Sequence, residues 1–305
     1  MASSRADADA VRALEHVPLA LPEGLEISWI GVSGYRISYA GVALFVDPYV
    51  SRAPLRDVLL RRPLLPDPVM VDRYLDAGGA EVAGVLVGHT HFDHAVDAPA
   101  IARRHRCGAY GSASLRRLMA LHGLAELAVE VEPYRRYELG PFVVSFTPSR
   151  HSRLILGRKV PMAGELCCEQ LDGLRMGAYR CGQVWGIRIE VAGIALYHQG
   201  SADLIDDALR AEPVDLFLAG VAGRGVTPRY WERVLRRLDP RVVVATHYDD
   251  FFKPLGGPEG FTARVKLDEL PDEIAAVSRD ATVAALRRVD RLPAPSASAP
   301  RQPPA

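Results

Sequence analysis

Apolar and polar positions alternate with period two over several short stretches, each closed by glycine, proline or a polar cluster. Leu25, Ile27 and Trp29 alternate with Glu26 and Ser28, which predicts a half-buried strand. Strands over residues 35–39 and 42–46 follow, joined by a tight hairpin at Ala40-Gly41. The β-branched run Val85-Leu86-Val87 predicts a buried strand that stops at Gly88. Helical spacing takes over at 95–104, where Ala95, Ala98 and Ala100 permit close packing on a sheet, and at 112–122, where Leu115, Leu118 and Leu121 share a face. Strands are expected at 108–111, 127–131 and 142–147, and a second hairpin pairs 183–191 with 194–198 about Ala192-Gly193. A strand, helix, strand rhythm then runs through 214–219, 228–238 and 241–245, and closes with a helix at 272–278 and a strand at 282–286. Further helices are expected up to Glu15 and over 69–77. Residues 51–68, with Arg52, Arg56, Arg61 and Arg62, and residues 154–182 keep no period and read as surface excursions. The first is expected to be a solvated loop, with a lid that grips phosphate or carboxylate through its arginines as the alternative.

Composition narrows the class. With 305 residues, 49% of them hydrophobic and 24% charged, the chain can bury a full core in one large or two closely joined units. Lys plus Arg balances Asp plus Glu, 37 against 37, so no global field recruits nucleic acid or anionic lipid. Four cysteines, Cys107, Cys167, Cys168 and Cys181, are too few for a disulfide framework and lack paired CxxC knuckles; packed thiols in a reducing, cytoplasmic setting are expected. The N-terminal segment has no apolar signal core and no run is long enough to span a bilayer. The Pro, Ala and Ser-rich tail at 291–305 is expected to be disordered.

Chemistry concentrates where the buried strand ends. His89-Thr90-His91-Phe92-Asp93-His94 places three histidines and one aspartate within six residues. His89 and His91 converge on one ion if the backbone is still extended there, and Asp93 and His94 reach a second if it is already curling into a helix. Imidazole and carboxylate without thiolate suit a divalent metal such as zinc, with manganese or iron as alternatives.

The motif HxHxDH, complete here as HTHFDH, resembles the signature of the metallo-β-lactamase superfamily. The resemblance implies an α+β four-layer αβ/βα sandwich over residues 25–290, following an N-terminal extension at 1–24, with one or two divalent ions where two similar halves meet. It also implies His151 as the third histidine of a first site with His89 and His91, and His247 with Asp93 and His94 at a second. Asp47, ending the third strand, matches an aspartate that supports the metal histidines. Residues 154–182 fall where related enzymes insert pocket-shaping loops. One departure stands out: in Gln199-Gly200-Ser201-Ala202-Asp203 a strict alignment puts Ser201 where the bridging aspartate belongs. Either Asp203 swings in as the bridging ligand, the reading adopted, or the bridge is missing and Asp203 caps a helix over 204–210. The opening hairpin ending in Asp47-Pro48, the His151-Ser152-Arg153 segment and THYDDFF near the end look closest to the branch that includes ascorbate-6-phosphate lactonase and N-acyl-phosphatidylethanolamine phospholipase D.

The expected function is metal-dependent hydrolysis of a small ester, lactone or phosphodiester, in a protein that could form a homo-oligomer. Asp93 would orient the nucleophile, and His198 is the candidate proton donor to the leaving group. Tyr248, Asp249, Asp250 and Lys253 could line the pocket. The alternative is a metal-binding protein with a di-iron redox role or a non-catalytic ligand-binding role.

Overall fold

The computed structural model describes residues 2–75, 79–257 and 260–289, so the tail at 291–305 lies outside the described residues. Six strands form one sheet in chain order: β1 (Glu26–Gly31), β2 (Gly34–Tyr39), β3 (Val42–Val46), β4 (Glu81–Leu86), β5 (Gly108–Gly111) and β6 (Ala128–Glu130). Seven form the other, again in chain order: β7 (Arg136–Leu139), β8 (Phe142–Ser149), β9 (Val184–Val191), β10 (Ile194–Gln199), β11 (Leu216–Gly220), β12 (Val242–Thr246) and β13 (Thr282–Ala285). Each sheet begins as an antiparallel meander and ends with parallel strands. The helices are α1 (Ala2–Leu14), α2 (Leu55–Leu59), α3 (Pro68–Tyr74), α4 (Phe92–Ala95), α5 (Ala98–His105), α6 (Ala113–Leu121), α7 (Tyr230–Leu238) and α8 (Leu270–Ala275).

Period-two alternation becomes layering. Leu44, Val46 and Leu86 face the second sheet and share a core with Phe146, Ile187, Leu196 and Leu218, whereas Phe45, Val85 and Val87 point the other way, against α3, α5 and α6. Val234 and Leu235 of α7 and Ile274 of α8 cover the far face of the second sheet. The result is four layers, helices, sheet, sheet, helices, in an α+β chain. Both Ala-Gly hairpins turn through the left-handed region, Ala40 and Gly41 at φ 51° and 78°, Ala192 and Gly193 at 52° and 81°, as the two-residue turns matching strand twist require. The N-terminal extension is docked: Val11 and Leu14 of α1 enter the core, and Asp7 accepts the backbone N–H of Leu267 at 2.7 Å.

Departures from the expected elements have local causes. β7 carries too few apolar residues to show a pattern and exists by pairing with β8. The helix expected at 95–104 is split into α4 and α5 around Asp97. That carboxylate accepts the backbone N–H groups of Val50 and Ser51 at 2.6 and 2.9 Å and the Ser51 hydroxyl, and Pro99 opens the new helix. Within 51–68 the short α2 forms with no buried residue, and residues 204–210 make turns in place of a helix. Of the four arginines in 51–68, Arg52 is buried while Arg56, Arg61 and Arg62 are exposed.

Arg52 ties the first half of the chain to the last. Its Nη2 lies 2.8 Å from Asp249 Oδ2, with the two side chains 1% and 3% exposed, and Asp249 Oδ1 accepts the N–H of Val32 at 2.9 Å. Gly31, at φ 97°, has to be glycine, because a Cβ there would fall 1.9 Å from the guanidinium. Removing Arg52 strands a buried carboxylate that Arg288, 3.9 Å away, only partly compensates. Arg52→Ala is therefore expected to cost about 3–5 kcal/mol in equilibrium urea unfolding; a loss below about 1 kcal/mol would show that the pair does not hold the halves together.

Candidate metal centre

Strand ends from both sheets converge on one buried cluster. After β4 the chain is pinned from outside: Gly88 O accepts from Trp185 N at 2.8 Å, and Thr90 N donates to Cys181 O at 2.9 Å. His91 remains extended at φ −62°, ψ 151°, and α4 starts at the next residue, so His89 and His91 lie on one side while Asp93 and His94 come from the first helical turn. β8 delivers His151 and β12 delivers His247.

One ligand atom each from His89, His91 and His151 lie within 4.8 Å of one another, and the same holds for Asp93, His94 and His247. His89 Nε2 sits 3.1 Å from His91 Nδ1, and Asp93 Oδ2 lies 3.3 Å from His247 Nε2 and 3.7 Å from His94 Nε2. His89 and His94 stack with ring centres 3.9 Å apart, which makes the two trios neighbours. Asp47 forms a third close set with His89 and His94. All seven residues are buried.

The outer nitrogens are held by protein oxygens. His91 Nε2 lies 3.0 Å from Pro161 O, His151 Nδ1 2.8 Å from Ser152 O, and His94 Nδ1 2.8 Å from Asp47 Oδ2. Each contact puts the N–H outward and leaves the inner nitrogen as a lone pair, the usual outer support of a metal histidine. Five imidazoles and one carboxylate in two adjoining trios are a donor set that fits a divalent cation.

Electrostatics agrees. Burial, reinforced by neighbouring imidazoles, pushes the His89 imidazolium well below its ordinary range; burial likewise takes His91 to about 4 and His151 to about 3. These three rings are neutral near pH 7 and free to donate electron pairs. Burial opposes the charged form of His94 too, but Asp47 and Asp93 outweigh it and raise its pKa. Asp93 shows the converse: burial raises it, and His94 and His247 override burial and hold it well below the usual carboxylate range. Backbone strain gathers here as well, since Val32, Asp47, Arg52 and His247 all sit at φ between 40° and 57°.

Two of the expected site residues lie outside the two trios. Asp203 joins no metal-ligand trio among the described residues; its Oδ1 accepts the N–H of Leu204 at 2.8 Å and lies 3.2 Å from Arg233 Nη1. The α7 arginine pairs with the carboxylate. Ser201, at the aligned position, accepts the N–H of Ser152 at 3.0 Å. His198 is fully buried, with Nε2 3.0 Å from Ser33 O and 3.8 Å from Asp47 Oδ2. It packs against Asp47, out of contact with solvent.

Other residues sort themselves by burial. Tyr248 packs on Trp29, 4.9 Å between ring centres, and Asp249 belongs to the Arg52 pair. Phe251 instead sets its ring edge against His247. The Pro161 carbonyl escaped sequence reasoning because a backbone acceptor leaves no residue-type signal. Cys107, Cys168 and Cys181 are buried and Cys167 is exposed, and no described metal-ligand trio contains a cysteine. No helix among the described residues is long and apolar enough to cross a membrane.

Comparison with known proteins points the same way. The model of a family described as β-lactamase superfamily domain matches residues 26–247. A metal-dependent hydrolase of Carboxydothermus hydrogenoformans is 25% identical over 232 residues, covering 74% of this chain and 85% of its own length, and one of Archaeoglobus fulgidus is 22% identical over 261 residues, covering 82% and 94%. Among solved structures, a metallo-β-lactamase-fold protein of Bacillus subtilis superposes with a TM-score of 0.52 at 15% identity, over 87% of this chain and 97% of that one.

Two outcomes are expected. In competition with a chromophoric chelator, Asp203→Ala retains the wild-type zinc stoichiometry, whereas Asp47→Asn weakens zinc binding about 10–100-fold; loss of one equivalent in Asp203→Ala would restore the bridge. The metal-free protein should also lose stability in acid. Unfolded histidine takes up a proton near pH 6.5 and folded His91 and His151 only near 4 and 3, so the unfolded chain binds more protons in between and the stability present above pH 6.5 is lost as pH falls through that window. Asp97, raised by burial from 3.8 to about 6, acts in the opposite sense, so the measurement is a difference between variants. The drop in Tm between pH 7 and pH 5 should be smaller in His151→Gln than in wild type, and equal drops would contradict the buried neutral imidazole.

Proposed function

Because this chain belongs to the metallo-β-lactamase superfamily, and its site offers a buried, neutral three-imidazole face, we propose that it is a metal-dependent hydrolase of small esters, lactones or phosphodiesters. The observation that carries the reading is the His89, His91 and His151 trio, whose ligand nitrogens would hold a divalent ion and leave it accessible to water or substrate. Zinc suits this nitrogen-rich set best. A divalent ion held there supplies Lewis acidity, which polarises a carbonyl or phosphoryl oxygen and acidifies water.

The chain's own groups do the rest. Asp93, ionised and 3.3 Å from His247, can accept a hydrogen bond from an attacking water and hold it in line. Asp47 and the Pro161 and Ser152 carbonyls keep the imidazoles from rotating, so no reorganisation is needed when charge develops. The deep burial of the cluster favours a substrate that presents one narrow reacting group.

A second reading comes from Asp93, His94 and His247, since two histidines and one carboxylate also make the facial ligand set of non-haem iron oxygenases. Elemental analysis of protein purified without added metal, with assays on bis-p-nitrophenyl phosphate and a simple lactone, separates the two. The hydrolase reading expects zinc and turnover of at least one substrate, with kcat/KM falling about a thousandfold in His151→Ala. Iron together with oxygen consumption and no hydrolysis would favour the oxygenase.

A further inference from the structure

We propose that a cavity walled by the residues on either side of His151 in the chain is the subsite for a phosphate-like oxyanion carried by the substrate, an inference that rests on the hydrolase reading for the word substrate alone. The cavity, about 340 Å³, is lined by Arg150, Arg153, Thr227, Arg229, Arg233 and Asp203. Four arginines and one carboxylate thus line the cavity, with Asp206 and Glu232 adding two more carboxylates beside two of the arginines. Asp203 is engaged by Arg233, which also binds Asp206 at 2.7 Å, and Arg229 has Glu232 at 3.9 Å. Arg150 and Arg153 have no carboxylate within 4.0 Å among the described residues.

This local excess of positive charge stands out in a chain whose formal net charge is zero. Gathering cations in a concave site is unfavourable unless an anion neutralises them, and bidentate guanidinium groups match phosphate and carboxylate geometry. The start of α7 adds to the wall. Arg229, at its N-cap with φ 49°, makes no side-chain cap, so the first-turn amides of a nine-residue helix are left for another acceptor.

Position links the cavity to the chemistry. Arg150 and Arg153 flank His151 in the chain, and the same segment is tied to the Ser201 turn by the Ser152 N to Ser201 Oγ bond at 3.0 Å. A substrate could thus place its scissile group at the histidine face and its oxyanion among the arginines. The arrangement also gives Asp203 a use outside the trios: it is the counter-ion that keeps Arg233 in the wall.

The test is calorimetric titration of inorganic phosphate into zinc-loaded full-length protein, comparing wild type, the Arg150→Ser/Arg153→Ser double variant and His151→Ala. The wild type is expected to bind phosphate, the double variant at least tenfold more weakly, and His151→Ala to retain binding, which places the anion away from the histidine face. Equal affinity in wild type and the double variant, loss of binding in His151→Ala, or no binding by the wild type at millimolar phosphate would overturn the proposal. Phosphate binding without hydrolysis of any ester would sink the hydrolase reading alone, and hydrolysis without phosphate binding would sink the subsite alone.

Discussion

A single fully buried carboxylate, Asp47, is the contact on which the site depends. Its Oδ1 accepts the N–H of Gly88 at 2.6 Å, which fixes where β4 ends, and its Oδ2 lies 2.8 Å from His94 Nδ1, which aims that ring at Asp93 and His247. A carboxyl group buried this deeply persists only with partners on every side. The chain makes room for it with glycine: a Cβ at Gly200 would lie 2.8 Å from Oδ2, and one at Gly88 3.2 Å. β3, β4, α4 and β10 are thus set against one another by one side chain, and His198 closes the space beneath it.

Around that point the two halves are joined by contacts far apart in sequence. Val32 uses its N–H on Asp249 and its carbonyl on the backbone N–H of His247, so the loop between β1 and β2 positions a ligand that arrives more than two hundred residues later. Left-handed backbone at Val32, Asp47, Arg52 and His247 is held by these buried bonds and by the Arg52–Asp249 pair. The cost falls beside the histidine and aspartate cluster, the pattern expected of a site built for chemistry and not for stability alone.

Much of this was legible in the sequence, for physical reasons. Period-two alternation reported both hairpins and the buried strands because each sheet has one face to a shared core and one to helices. HTHFDH reported itself because four ligand-type side chains after an apolar run have no structural use, whereas His151 and His247, lone histidines after strands, were legible only through the family resemblance that HTHFDH carries. The direction of Asp203 was not legible. Its neighbours in sequence allow either orientation, and the choice is made by Arg233, thirty residues on and on another element. Arg52 misled in the same way: among four loop arginines nothing local marks the one that is buried, since its partner lies near the far end of the chain. Sequence reasoning finds which groups cluster and misses which distant charge claims them.

The most direct measurement is a crystal structure of the zinc-loaded protein with anomalous scattering at the zinc edge. Anomalous peaks should lie on His89, His91 and His151 and on Asp93, His94 and His247, with Asp47 still on His94 and Asp203 still paired with Arg233. A peak coordinated by Asp203, or no peak at the three-histidine face, would contradict the two-trio centre without a bridging aspartate.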